Sequence, residues 1–86
     1  MSVVVKKLLL DALKSRELSI IELAKALGLV EGVNDVNIVV VEVDSNTETL
    51  KLTIDGSQIN YGQIQEVIQH YGVSLKGVDE VSVTKA

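Results

Sequence analysis

The chain has 86 residues, a net charge of −4, no cysteine and no proline; 47% of it is hydrophobic and only 2% aromatic. This is the composition of one small, ordered, aliphatic domain spanning residues 1–86, with no room for a second core. The lack of cysteine excludes disulfides, thiolate metal sites and a cysteine nucleophile. The acidic balance argues against nucleic-acid binding, which needs clustered Lys and Arg to neutralise phosphates.

Residues 3 to 14 open the chain. Lys6 and Lys7 interrupt their apolar run and no small-residue cleavage site follows, so no signal peptide is expected. No apolar run approaches the roughly 20 residues of a membrane helix, and a cytoplasmic location without a membrane partner is the expectation. The β-branched start, and Leu8, Leu10 and Ala12 alternating with Leu9, Asp11 and Leu13, predict a strand. The rival reading is a helix, since Leu and Ala are good helix formers.

A helix comes next. Ser19 and Glu22 have the spacing of a capping box, with Leu18 and Leu23 as its hydrophobic staple. Ile20, Leu23, Ala24 and Leu27 make one buried stripe, and Gly28 or Gly32 can end it.

Residues 36 to 43 predict a strand that is apolar on both faces. Val36, Ile38 and Val40 point one way, and Val39, Val41 and Val43 the other. Asp44 to Thr47 reads as a hairpin turn into a strand from Thr49 to Ile54, with Leu50, Leu52 and Ile54 inward. An odd-length loop puts Val36, Ile38 and Val40 beside those leucines; a two-residue loop puts the other trio there. Either way one aliphatic trio has no helix above it.

The second helix repeats the grammar of the first. Asn60 caps it, Gln63 closes the box and Ile59 staples to Ile64. Ile64, Val67, Ile68 and Tyr71 form the stripe, and Gly72 ends it. A last strand lies within Val73 to Thr84, with Gly77 as a bulge or bend. The order strand, helix, strand, strand, helix, strand predicts an α+β ferredoxin-like βαββαβ sandwich. Its four-stranded antiparallel sheet has order 4-1-3-2 and both helices on one face. The double-faced strand then lies at an edge, which favours self-association.

Lys6 to Lys14, Ser19 to Ala24, Glu31 to Val33, Val36 to Asp44 and Glu66 to Ile68 together resemble the archaeal domain-of-unknown-function 211 family, over nearly the whole chain. The resemblance implies a ferredoxin-like fold, a homo-oligomer and an archaeal source, and it supplies no catalytic residues. Where that family often has Pro and His after the first strand, this chain has Ser15 and Arg16.

Asp11, Glu42 and Asp44 interrupt otherwise apolar strands. They are candidate ligands for a divalent cation such as calcium or magnesium, or for a small ligand. The sheet order separates Asp11 from the other two, so a shared site would have to form between subunits; otherwise the charges limit uncontrolled strand pairing. Glu48, Asp55, Asp79 and Glu80 read as solvated loop or turn residues. The single histidine, His70, falls in the last turn of the second helix as an exposed side chain, without the partners that zinc or catalysis needs. Lys14 and Arg16 are placed in the loop before the first helix, where an anion could meet free N–H groups. No glycine-rich phosphate loop accompanies them.

With no catalytic motif, the expectation is a homo-oligomeric structural or small-ligand/ion-binding module, with Val39, Val41 and Val43 at the interface between copies. The alternative is an enzyme with a carboxylate site, holding a divalent cation, formed between subunits.

Overall fold

A computed structural model describes residues 2–86. The elements are β1 (Val3–Ser15), α1 (Ile20–Gly28), β2 (Val33–Val43), β3 (Thr47–Gly56), α2 (Tyr61–His70) and β4 (Ser74–Lys85). The sheet is antiparallel with order β2-β3-β1-β4, as expected of a ferredoxin-like α+β sandwich.

β1 is a thirteen-residue strand, not a helix. Its even positions Leu8, Leu10, Ala12 and Lys14 are buried, while Lys7, Leu9, Asp11 and Leu13 are half-buried on the other face. Period-two burial of this kind suits a strand hydrogen-bonded on both sides; a helix would spread the same residues around its axis. Leu8, Leu10 and Ala12 face Ile54, Leu52 and Leu50 across the ladder. Leu23 and Leu27 of α1, Ile64 and Ile68 of α2, and Val30, Ile59 and Val73 from the connections complete the core. Burying each large aliphatic side chain contributes about 1.5–3 kcal/mol.

Both helices start as their caps predict. The Ser19 hydroxyl accepts from the N–H groups of Ile21 and Glu22 at 3.2 and 3.4 Å. The Asn60 side chain accepts from the Gln63 N–H at 3.1 Å. Neither box closes. Glu22 turns toward Lys25 at 4.0 Å, and Gln63 Oε1 accepts from the Glu31 N–H at 3.0 Å, tying α2 to the connection after α1. That long-range bond satisfies a loop N–H far from α2 in sequence, which local spacing does not register.

α2 ends in a Schellman motif. The Val73 N–H bonds to Ile68 O and the Gly72 N–H to Gln69 O, both at 3.0 Å, with Gly72 at φ +71°. Tyr71 is therefore the exposed C-cap rather than part of the buried stripe. α1 differs: Leu29 caps it in the right-handed region, and the positive φ, +85°, waits until Gly32. A Cβ on Gly32 would lie 1.7 Å from Gln58 O, because two loops meet there backbone to backbone.

The hairpin combines both loop readings. Its tip is the two-residue Ser45–Asn46, closed by the Asp44 N–H on Thr47 O at 2.8 Å. Yet Val36, Ile38 and Val40 pair with Ile54, Leu52 and Leu50 on the helix side. A bulge reconciles the two: Val40 faces Leu50 and Glu42 faces Thr49, so Val41 is one residue too many.

Gly32→Ala should destabilise the fold by about 2 kcal/mol or more, from the left-handed φ and the backbone clash. Gly28, with ordinary φ and nothing within 4 Å of its Cβ position, should tolerate Ala, changing stability by no more than about 1 kcal/mol, in the stabilising direction. Urea denaturation of the two variants checks the contrast.

Candidate functional site

The face of the sheet away from the helices is open. Cross-strand neighbours share a face, so the pairing places the outer side chains in rows across it. Val39, Lys51, Asp11 and Gly77 make one row. Thr49 and Leu13 lie on one side of it, and Asn37, Thr53, Leu9 and Glu80 on the other. Val39 and Val41 are 46% and 52% exposed, and Leu9 and Leu13 half-buried.

At the centre of this face is an ion cluster. Lys51 Nζ is 2.7 Å from Asp79 Oδ2 and 3.5 Å from Asp11 Oδ1. Asp79 reaches Lys51 because β4 bulges: Glu80 pairs with Leu9 and Val78 with Leu10, which leaves Asp79 unopposed. Lys7 and Glu80, 3.7 Å apart, add a peripheral pair. Asp11 Oδ1 is shut off from water without a hydrogen bond, so the Lys51 charge compensates it. The hydrogen bond to Asp79 raises the Lys51 pKa above its ordinary 10.5; partial loss of water opposes this, and the charges of Asp11 and Asp79 add to it.

The sequence-predicted cation ligands do not meet within one chain. Asp11 is engaged by Lys51, and β3 separates it from Glu42 and Asp44. The Asp44 carboxylate accepts from the Ser45 N–H at 3.2 Å, inside the hairpin turn. Glu42 pairs with Thr49 beside the bulge and has no ion-pair partner among the described residues. Among those residues no group of three or more His, Cys, Asp or Glu comes together as a metal site requires. His70 is exposed at the end of α2, its ring edge-on to Tyr71 with centroids 5.4 Å apart.

Two ionic partnerships run against the sequence reading. Asp79, though exposed, is a strand residue in the central cluster and not a loop or turn residue. Glu48 is half-buried and ion-paired with Lys14, which lies within β1 rather than in a loop and is 2% exposed. Lys14 Nζ also donates to Ser15 O at 3.1 Å. Alternation carried the signal: Lys14 continues Leu8, Leu10 and Ala12 on the helix side, so an opposing Glu is the partner its charge demands. Val43 pairs with this same Glu48, so beyond the bulge it lies on the helix side, where it remains exposed. Of the predicted interface trio, Val39 and Val41 belong to the open face.

A recess of about 380 Å³ lies elsewhere, lined by Glu31, Gly32, Ser57, Gln58, Ile59 and Asn60. It brings together the Glu31 carboxylate and the uncharged Ser57, Gln58 and Asn60, with no second charged residue in its lining.

Because the folded pKa of Lys51 is raised, its stabilising contribution is complete below pH 10.5 and is lost as pH rises through the raised value. Stability of the wild type should therefore fall above pH 10.5, and Lys51→Met should flatten that decline in pH-dependent urea melts. Glu48→Ala, which strands the buried Lys14 charge, should cost about 3 kcal/mol. Adding Lys14→Met should recover most of that loss in the same assay.

The chain matches known proteins along nearly its whole length. The model of the DUF211 family, described as uncharacterized ArCR, matches residues 6–86. The chain is also similar to uncharacterized protein MJ0319 of Methanocaldococcus jannaschii, at 36% identity over 81 residues, covering 94% of this chain and 84% of the relative. Both helices, β2, β3, β4 and all of β1 from Lys6 onward fall in the matched region, and on that extent of agreement the chain belongs to the DUF211 family.

Proposed function

We propose that this protein is a homo-oligomeric module, cytoplasmic in location, whose copies meet through the open face of the sheet. The observation that carries the reading is the exposure of Val39 and Val41 on a face where Leu9 and Leu13 also lie. An antiparallel sheet that leaves one side to water normally alternates apolar-in and polar-out. Here Val39 and Val41 of β2 and Leu9 and Leu13 of β1 lie outward on either side of the polar Thr49, Lys51 and Thr53 of β3, and exposed aliphatic side chains gathered on one face mark an interface. The ion cluster suits such a role, since Lys51 sits between two aspartates and leaves the cluster with a single net negative charge. Charges already paired lower the cost of covering them.

A small ligand or divalent cation held where copies meet would draw on Glu42, which lies on this face without an ion-pair partner among the described residues. The partner in this reading is another copy of the chain. No helix of the described residues is long and apolar enough to cross a membrane.

Light scattering coupled to size exclusion should give a mass that is a multiple of 9.3 kDa at micromolar concentration. Val39→Lys should move it toward the protomer while circular dichroism stays unchanged. A wild-type protein that runs as a monomer at that concentration overturns the proposal. Calcium or magnesium should raise the melting temperature of the wild type and not of Glu42→Gln; equal responses remove the ion-binding part of the reading.

A further inference from the structure

β2 carries an irregularity at each end. Val33 pairs with Gly56 and Asp35 with Asp55, leaving Asn34 over; Val40 pairs with Leu50 and Glu42 with Thr49, leaving Val41 over. Between the two, Asp35 to Val40 pairs without a break against Asp55 to Leu50. The ends are anchored independently of this stretch. The Val33 N–H bonds to Val30 O at 3.1 Å, and the Asp44 N–H to Thr47 O at 2.8 Å.

From this arrangement we propose that residues 35–40 form a two-register device. In the second register the stretch moves by one residue against β3. Val41 then takes the place of Val40 opposite Leu50, Val39 faces Leu52, and Asn37 faces Ile54. The bulge at Val41 disappears, and Asn34 and Asp35 are both left over between Val33, opposite Gly56, and Val36, now opposite Asp55. Pairing from Glu42 through the hairpin tip is unchanged.

Three observations support it. A one-residue slip exchanges the two faces of a strand, which ordinarily ruins the core; here valine replaces valine or isoleucine over Leu50 and Leu52. β2 is an edge strand, so only one ladder has to rearrange. The two-residue tip, by its own geometry, asks for the second register, and the Val41 bulge is what keeps the first. The third position decides between them. Val36 over Ile54 loses nothing, whereas the Asn37 amide there gives up water without a partner in hand.

The slip would replace Asn37, Val39 and Val41 on the open face by Val36, Ile38 and Val40. The two registers are inferred from the pairing within one chain and do not rest on the proposed association through that face, although association that favours one set of side chains would shift the balance between them.

The test is nitrogen-15 saturation-transfer NMR on the full chain, in the wild type, in Asn37→Val and in a chain with Val41 deleted. Removing the amide should raise the second register at least about tenfold. Asn37→Val should then show exchange confined to residues 35–42 and their β3 partners, with cross-strand contacts from Val39 to Leu52 growing in. Deleting Val41 lets the native faces pair through a two-residue tip, so exchange should vanish. An Asn37→Val protein with one register and no exchange overturns the proposal. So does exchange that persists unchanged in the deletion. If the deletion does not fold, Asn37→Val alone decides. The mass measured on the same samples reports separately on assembly, so failure of either reading is recognised by itself.

Discussion

The pairing of β1 with β3 is the contact on which the rest of the molecule depends. Leu8, Leu10 and Ala12 against Ile54, Leu52 and Leu50 form the floor on which both helices rest. One residue along, on the opposite face, Asp11 meets Lys51. The same register thus seats the core and assembles the ion cluster. A slip here would put an aspartate and a lysine under the helices and two leucines outside, so hydrophobic and electrostatic terms select one alignment together. β2 and β4 are added to a central pair whose register is already settled.

The helices are attached to this floor in unlike ways. α2 stops on glycine in a Schellman motif directly before β4. α1 runs on through Leu29 and Val30 before Gly32 reverses the chain against Gln58. That extra length brings Glu31 within reach of Gln63 and Asn60, so the end of one half of the fold is hydrogen-bonded to the start of the other. Two sequence-alike βα units thereby interlock instead of merely stacking.

Element order, strand order and nearly every core residue were legible from periodicity and caps, because each rests on local spacing. What escaped depends on partners distant in the chain. Gln63 satisfies the cap spacing of its own helix, yet its oxygen serves Glu31. Asp79 reads as a turn residue until a bulge in β4 brings it beside Lys51. Glu48 reads as solvated until Lys14 is seen to continue the buried side of β1. Valine counts alone leave the hairpin register open, and two polar residues settle it: Asn37 and Asp35 can only face outward if Val36, Ile38 and Val40 face the helices. The predicted carboxylate site draws on residues that one chain keeps apart, so its legibility ends at the protomer boundary.

The two borders of the sheet are unequal. β4 meets β1 with three shifts of register along its length, whereas β2 holds six residues in even succession against β3. Endless fibre growth by strand addition needs two regular borders on every molecule, one to receive and one to offer. A valine-rich sequence with long strands would otherwise be prone to amyloid-like stacking. The wandering path of β4 makes it a poor template, so any ladder seeded on β2 meets an irregular rim on the far side of each new molecule and stops. The same bulge that delivers Asp79 to Lys51 thus also breaks the regularity of an edge strand, the kind of irregularity that works against edge-to-edge pairing.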